Sequence, residues 1–343
     1  MKNIVVFDEF NELDFKPAGL LEEYVRLTEK DVHDLLIKNG SLEPCPCPGC
    51  GFQESEDAFQ RFGMQYKECM HCKTLYISLR PDEAALNNYY LNSSARIFWQ
   101  ERLSVSTDKK RKEKIIKPRV DWVIDSTMEY LPTAGHWVDV NTSQYGYIDE
   151  MAKTEVFARK TLFSPYVRQT SFDDRGSVSV VFDKDLSDGR LDNDADILSL
   201  FDVLGHISDI DAFFAKIRRM LTPGGLCFIT AILSSGFDIQ ELWEHAENLY
   251  PPDRLNVFSA GGMRALAERF GFECLEFSTP GILDVDIVLN AMKHNPSLKI
   301  SRFARGIIDH KDKGVRDAFQ EFLQTNLLSS YGRILLRKRK DKE

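Results

Sequence analysis

Residues 137–147 have the sequence Trp137-Val138-Asp139-Val140-Asn141-Thr142-Ser143-Gln144-Tyr145-Gly146-Tyr147, a short apolar run followed by a polar loop. A ligand-binding loop after the first strand of an α/β sheet normally has glycines at three alternating positions, because its backbone turns sharply and approaches the ligand closely. Asn141, Ser143 and Tyr145 occupy those positions here. Asn tolerates a left-handed backbone and Ser is small, so the first two preserve part of such a turn. Tyr145 does not preserve the turn, unless the loop shifts by one residue so that Gly146 takes this position.

From His136 onward, short apolar runs alternate with helical stretches. This alternation is typical of a parallel α/β sheet of the Rossmann-like type. A mostly helical segment at about 283–328 precedes the last run. The predicted strands lie at residues 137–140, 161–163, 178–182, 196–201, 226–230, 273–277 and 332–336.

The composition is that of an ordinary globular protein. The chain has 343 residues, of which 43% are hydrophobic and 28% charged, which is enough for one large core and a small satellite domain. The net charge of −9 disfavours nonspecific binding of nucleic acid, whose phosphates are held mainly by Lys and Arg. No apolar run of about 18 residues occurs, and the N-terminus becomes acidic too early for a signal peptide. We therefore expect a cytoplasmic protein without a membrane span.

Two Cys-x2-Cys motifs lie in a segment rich in Pro, Gly and Cys at residues 41–80. They supply four candidate metal ligands: Cys47, Cys50, Cys69 and Cys72. Tetrahedral Zn²⁺ is held by four thiolates from two such turns, so the spacing predicts a zinc ribbon. Four thiolates leave no coordination position for water or substrate, and the predicted zinc is therefore structural. Cys45 and His71 lie beside the motifs, and either one could replace a neighbour or stay outside the site.

These patterns predict four regions in the chain. Residues 1–40 form an N-terminal helical and extended segment, and residues 41–80 form the zinc ribbon. Residues 81–132 are helical and cover the main domain. The α/β domain spans residues 133–340 and contains the helical insertion at about 283–328.

A series of motifs resembles a known family. The turn Leu221-Thr222-Pro223-Gly224-Gly225 and the run 196–206 before it are similar to the region between the fourth and fifth strands of class I methyltransferases. The zinc motifs, Asn88-Tyr89-Tyr90, Pro118-Arg119 and the stretches 250–259 and 278–286 occur in the same order as in bacterial zinc-ribbon methyltransferases of sugar and surface-polysaccharide biosynthesis. The resemblance covers about residues 41–340. It implies a seven-stranded sheet with a terminal antiparallel hairpin, S-adenosylmethionine as cofactor, and a sugar, sugar nucleotide or glycan precursor as acceptor.

The resemblance also implies functional residues at the carboxyl ends of the strands, where open α/β sheets bind ligands. The residues expected to contact the cofactor are Asp139, Asn141, Ser143, Gly146, Ser164 and Asp183. His206 follows the fourth strand and is the expected general base, since imidazole titrates near neutral pH. Gly205 stands where the family has Glu. Arg254 replaces a family histidine and suits a phosphate or carboxylate. Together with Tyr89 and Tyr90, it is expected to contact the substrate.

Three functions fit these observations. The leading hypothesis is a divergent S-adenosylmethionine-dependent methyltransferase that acts on a glycan precursor. The second is a catalytically inactive, methyltransferase-like scaffold in glycan biosynthesis, because the departures from the family concentrate on the ligand face. The third is an RNA methyltransferase, which the acidic balance and the scarcity of basic residues at 41–80 disfavour.

Overall fold

The computed structural model describes residues 17–38, 40–140, 146–164, 171–175, 177–182 and 191–340. Most of the loop quoted above lies outside these ranges, and so does Asp183. Within the described ranges, no helix combines the length and apolar composition needed to cross a membrane.

The N-terminal part consists of a helix and a group of short strands. Helix α1 (Ala18–Asp31) continues as a π-helical turn at Val32–Ile37. The strands are β1 (Leu42–Pro44), β2 (Ser55–Arg61), β3 (Met64–Cys69), β4 (Leu75–Ile77) and β5 (Leu79–Pro81). β1 pairs with β5, whereas β2, β3 and β4 form an antiparallel sheet. We call residues 42–81 the cysteine ribbon.

Helices fill the next segment of the chain. They are α2 (Glu83–Asn92), α3 (Ser94–Phe98), α4 (Ser104–Arg111) and α5 (Lys117–Tyr130), with π-helical turns at Trp99–Leu103 and Lys112–Ile116. The carboxylate of Asp82 caps α2 by accepting a hydrogen bond from the Ala85 amide at 2.7 Å. Pro118 lies in the first turn of α5, directly after the π-helical turn at Lys112–Ile116.

The remaining elements alternate between strands and helices. They are β6 (His136–Val140), α6 (Gly146–Lys153), β7 (Arg159–Ser164), β8 (Ser171–Arg175), β9 (Val178–Phe182), β10 (Ala195–Phe201), α7 (Ile210–Met220), β11 (Leu221–Ile232), α8 (Phe237–Leu242), β12 (Asn256–Val257), α9 (Ala260–Arg269), β13 (Phe272–Ser278), α10 (Asp284–His294), α11 (Arg302–Ile308), α12 (Lys313–Thr325) and β14 (Tyr331–Lys338).

Eight of these strands form one mixed sheet in the order β13-β14-β11-β10-β6-β7-β9-β8. β11, β10, β6, β7 and β9 run parallel to one another. β14 runs antiparallel to both of its neighbours, β11 and β13, and β8 runs antiparallel to β9 at the edge. The seven predicted strands are all present. β8 was not predicted, because its sequence Ser-Phe-Asp-Asp-Arg is mostly polar.

Helices cover both faces of this sheet. Apolar side chains of α7 and α9 pack on one face, and those of α5 and α6 pack on the other. Every residue of β6 is buried, as expected for a central strand covered on both sides. β6 lies between β10 and β7, so the topological switch point of the sheet lies between β6 and β10.

The cysteine ribbon is joined to the main domain by a strand. β12 pairs antiparallel with β4 and extends the ribbon sheet to the order β12-β4-β3-β2. A second apolar core fills the space between the ribbon, α2 and the helices α8, α10 and α12. The ribbon is therefore packed into the same body as the loops that follow β10 and β11.

Candidate functional site

The carboxyl end of β6 lies beside the topological switch point of the sheet, where open α/β sheets bind ligands. Asp139, near the end of this strand, has only 1% of its surface exposed. Its carboxylate accepts a hydrogen bond from the Ser199 hydroxyl of β10, and Ser199 in turn accepts one from the Trp137 indole at 2.8 Å. The neighbouring strands therefore hold this carboxylate in a fixed position at the switch point.

An arginine from α5 crosses the carboxyl end of β10. The Arg119 guanidinium donates hydrogen bonds to Asp202 Oδ2 at 2.6 Å, to the Tyr147 hydroxyl at 2.7 Å and to the Tyr331 hydroxyl at 3.0 Å. Burial opposes its charge, but Asp202 and Tyr147 raise the pKa of Arg119 well above its ordinary value. Burial likewise opposes ionisation of Asp202, but Arg119 and then Arg254 lower the pKa of that carboxyl. The pair is therefore fully ionised at neutral pH.

His206 lies on a 3₁₀ turn, Leu204–His206, directly after β10. Its Nδ1 is 2.9 Å from the Tyr90 hydroxyl and 3.5 Å from Asp253 Oδ1. The second oxygen of Asp253 accepts a hydrogen bond from the Tyr24 hydroxyl at 2.7 Å. Elements distant in sequence thus meet around one buried imidazole.

Electrostatics make this imidazole neutral. Burial lowers the pKa of His206 below its ordinary value, and the hydrogen bond to Asp253 opposes that effect without overcoming it. Burial opposes ionisation of Asp253, but hydrogen bonds with His206 and Tyr24 and the charge of Arg96 hold the pKa of its carboxyl well below the usual range. The group facing Nδ1 is consequently an anion.

The groups around Nδ1 suit one tautomer of His206. The Tyr90 hydroxyl has the Pro252 carbonyl as an acceptor at 3.2 Å, which leaves its oxygen able to accept from Nδ1. Asp253, whose Oδ1 lies 3.5 Å from Nδ1, can only accept. A proton on Nδ1 would face both acceptors and would leave the basic lone pair on Nε2.

Gly205 and Arg254 pack against each other beside this histidine. A Cβ atom on Gly205 would lie 2.7 Å from the carbonyl oxygen of Asp253 and 3.4 Å from Cδ and Nη1 of Arg254. The Arg254 Nη1 donates to that same carbonyl at 2.8 Å. Its Nε is buried without a hydrogen-bond partner among the described residues. A side chain at position 205 therefore requires a shift of the Asp253 backbone.

The structure brings together some of the predicted site residues and not others. His206, Tyr90 and Arg254 lie in one cluster. Gly146 begins α6 and Ser164 ends β7, each at the carboxyl edge of the sheet. Asn141, Ser143 and Asp183 lie outside the described residues.

Tyr89 has 0% of its surface exposed and Tyr90 has 6%, and both pack in the core beside the ribbon. The substrate contact predicted for Tyr89 stays a prediction.

Sequence reasoning missed several residues of the site. Asp253 lies within a stretch that was singled out, but its role depends on a contact with Tyr24, which is 229 positions away in sequence. Asp202 carried a usable signal, since it is the first acidic residue after a buried strand at the carboxyl edge. The role of Arg119 depends on the way α5 crosses the sheet, and no local pattern indicates it.

The two Cys-x2-Cys motifs form a compact group. The Sγ atoms of Cys47, Cys50, Cys69 and Cys72 all lie within 4.8 Å of one another. Each motif folds as the same turn, in which the amides of Gly51 and Lys73 donate to the first cysteine's carbonyl at 2.8 and 3.0 Å. Both of these residues have positive φ angles, 77° and 61°.

The chemistry of this group fits a metal such as Zn²⁺, because four converging thiolates form a closed tetrahedral set. Cys45 lies outside the group and points its Sγ at the Ile77 carbonyl, 3.6 Å away. His71 is exposed, and its ring lies beside that of Phe52.

The cysteine turns contact the main domain directly. The Arg269 guanidinium of α9 donates to the carbonyls of Pro48 and Gly49 at 3.2 and 3.0 Å. The hydroxyl of Ser259, which caps α9, donates to the Cys72 carbonyl. A metal bound here would therefore stabilise a surface against which α9 packs.

Comparisons with known proteins agree with this architecture. A family model described as a methyltransferase domain matches residues 117–276. A comparison with curated protein sequences found no significant match.

Solved structures show only distant similarity. A sarcosine dimethylglycine methyltransferase, described as putative, from Galdieria sulphuraria is 15% identical over 70% of this chain and 89% of its own, with a TM-score of 0.39. A Haloferax volcanii methyltransferase in complex with the activator Trm112 is 15% identical over 70% of this chain and 96% of its own, with a TM-score of 0.44. Phosphoethanolamine N-methyltransferase 2 of Haemonchus contortus, in complex with S-adenosyl-L-methionine, is 14% identical over 78% of this chain and 63% of its own, with a TM-score of 0.41. Residues 117–276 therefore resemble a methyltransferase domain, and the order of the strands in the sheet is compatible with that match.

Proposed function

We propose that the chain is an S-adenosylmethionine-dependent methyltransferase whose acceptor is a sugar, a sugar nucleotide or another glycan precursor. The methyltransferase-domain match supports the reaction class. The observation that carries the proposal further is the buried His206, which lies directly after β10 with its Nδ1 facing Tyr90 and Asp253. The motif order along the chain supports an acceptor related to glycans.

Two described residues at the carboxyl edge of the sheet support this cofactor. Asp139 offers a buried carboxylate near the end of β6, and Ser164, which ends β7, is the proposed partner of a ribose hydroxyl. We assign Gly146, Ser164, Asn141, Ser143 and Asp183 to the same binding site by their positions in the sequence. When bound, S-adenosylmethionine supplies a methyl group already activated by a positively charged sulfur.

The residues of the chain then have three tasks. His206 accepts the proton of an acceptor hydroxyl at Nε2 as the new bond between oxygen and the methyl carbon forms and the bond between that carbon and sulfur breaks, which leaves a neutral thioether, and Asp253 stabilises the resulting imidazolium. Arg254 places a guanidinium beside that reaction centre and is the proposed contact for a phosphate of a sugar nucleotide. Tyr90 holds the ring in place through Nδ1.

We also propose that Cys47, Cys50, Cys69 and Cys72 bind one structural Zn²⁺. Their four thiolates leave no open coordination position, so this metal would hold the ribbon together without taking part in methyl transfer.

A methylation assay with labelled cofactor and a panel of sugar nucleotides tests the proposed reaction. We expect turnover to fall about 100-fold or more in His206→Gln, because a general base contributes about 10²- to 10⁴-fold. The matched control is His245→Gln, which makes the same substitution at a half-exposed histidine beside Glu244 and leaves the site intact. Turnover equal in His206→Gln and the unchanged protein would contradict the role of His206.

One observation favours the inactive scaffold as a second candidate. Arg119, Asp202, Tyr147 and Tyr331 form a closed set of hydrogen bonds at the carboxyl end of β10, which needs no ligand to complete it. A protein that binds neither S-adenosylmethionine nor S-adenosylhomocysteine would support this interpretation.

A further inference from the structure

The cysteine ribbon supplies hydrogen bonds to the turn that carries His206. The Arg80 guanidinium, on β5, donates to the Ser208 carbonyl at 2.7 Å and to the Ile207 carbonyl at 3.5 Å. Another of its nitrogens donates to Asn256 Oδ1 at 2.6 Å. Arg80 has only 3% of its surface exposed, so these bonds form away from water.

Asn256 completes the contact from the other side. Its amide nitrogen donates to the carbonyls of Leu204 and Ile207 at 2.8 and 2.7 Å. The amide of the preceding residue, Leu255, donates to the Gly205 carbonyl at 2.8 Å. The carbonyls at positions 204, 205, 207 and 208 are therefore satisfied by residues from outside the turn.

Strand pairing ties these donors to the ribbon sheet. Asn256 is paired with Tyr76 of β4, and the Ile77 amide donates to the Leu255 carbonyl at 3.0 Å. The Tyr66 hydroxyl, on β3, donates to the Arg254 carbonyl at 2.7 Å. β3 ends at Cys69, so the strands that hold the turn are continuous with the cysteine group.

We propose that Arg80 and Asn256 are positioning residues that fix the 204–208 turn, so that the ribbon sets the placement and environment of His206. A carbonyl buried without a hydrogen-bond partner is unfavourable, so loss of these donors favours a rearranged turn. The role in methyl transfer rests on the proposed function, whereas the effect on the His206 ring does not. A displacement of about 1 Å in such a group lowers a rate by about 100-fold.

Several charged and titratable groups face this imidazole and must stay constant in a test. They are Tyr90 from α2, Arg96 from α3, and Asp253 and Arg254 from the loop before β12. Arg80→Lys keeps the charge at position 80, and Asn256→Ala replaces one neutral residue by another. Neither variant adds or removes a charge. A change in the pKa of His206 therefore indicates that its ring has moved or has become hydrated.

The experiment is an NMR titration of the full-length protein with ¹³C-labelled histidine, in which His206→Gln identifies the signal. We expect the pKa of His206 to rise toward that of a hydrated imidazole in both Arg80→Lys and Asn256→Ala, because the loosened turn admits water. The matched control is Arg218→Lys. Arg218 also donates to backbone carbonyls, those of Phe270 and Gly271 at 3.2 and 3.0 Å, but it does so at the start of β13.

An unchanged pKa of His206 in both variants would overturn the proposal, and so would an equal shift in Arg218→Lys. If Arg80→Lys does not fold, Asn256→Ala decides the question alone. Turnover is measured in parallel and is expected to fall about 10- to 100-fold in the two variants. Absence of turnover in the unchanged protein would contradict the proposed function and leave the positioning result standing.

Discussion

At the scale of single residues, the pKa values of two buried acids are shifted in opposite directions. Asp253 is ionised because tyrosine, histidine and arginine groups surround it. Asp238 on α8 is also buried, and it lies close to Asp284. Burial first, and then the charge of Asp284, raise the pKa of Asp238 well above its ordinary value. Folding therefore favours the protonated form of Asp238.

This protonation predicts a pH-dependent stability. A carboxyl group whose pKa is raised by folding contributes stability that is complete below its unfolded pKa of about 4 and is lost as pH rises through its folded pKa. We expect Asp238→Asn to match the unchanged protein at acidic pH and to gain about 1–3 kcal/mol over it at alkaline pH. Chemical denaturation between pH 5 and 9 measures this. Asp57→Asn, which alters an exposed carboxylate, is the control. A constant difference across this range would contradict a buried neutral Asp238.

Gly205 gives a second prediction at this scale. Because its Cβ position falls 2.7 Å from a backbone carbonyl, Gly205→Ala requires a shift of the Asp253 loop. We expect a destabilisation of about 1–3 kcal/mol, measured by chemical denaturation, and a loss of turnover. Gly205→Glu, which restores the family residue, should be worse still.

The control for this change is Gly306→Ala. A Cβ there meets no atom within 4 Å, and the residue lies inside α11, so alanine should be neutral or slightly stabilising. A Gly205→Glu variant with raised activity would show that position 205 is open to the side chain of the family.

At the scale of elements, the cysteine ribbon and α9 are in close contact. A Cβ on Gly262, in the first turn of α9, would lie 1.9 Å from Thr74 Oγ1 and 3.3 Å from Cys72 Sγ. Ser259 caps this helix and also bonds the Cys72 backbone. The ribbon is therefore part of the same packed body as α9. A metal bound to the ribbon should contribute to the stability of the whole protein.

This packing leads to a prediction for the metal site. We expect one Zn²⁺ per chain by elemental analysis, and loss of that zinc in Cys50→Ser with a melting temperature about 5 °C lower or more. Cys45→Ser is the matched control, since Cys45 lies outside the group and should retain the zinc. Equal zinc content in the two variants would show that the ligand set was wrongly assigned.

At the scale of the whole molecule, much of the main sheet could be predicted from the sequence. Its central strands are buried on both faces and therefore appear as short apolar runs, such as 196–201 and 226–230. β8 could not be predicted, because an edge strand with polar residues has no such pattern. The ribbon was indicated by cysteine spacing, which depends on ligand geometry and not on packing.

The sequence predicted a site residue only where that residue comes directly after a strand. His206 satisfies that condition because it comes directly after β10. Arg80, Arg119 and Tyr24 do not, since each reaches the site through contacts that only the folded chain creates. Arg80 meets Asn256 across 176 positions and Arg119 meets Asp202 across 83. No local periodicity encodes such pairs.

The most direct test of the central claim is calorimetric titration of the protein with S-adenosylhomocysteine. We predict saturable binding of one molecule per chain, weakened at least about tenfold in Asp139→Asn, which removes the charge at the end of β6. Asp57→Asn should bind as the unchanged protein does. No heat of binding at millimolar S-adenosylhomocysteine, in a protein shown to be folded, would contradict the proposal that this chain is a methyltransferase enzyme.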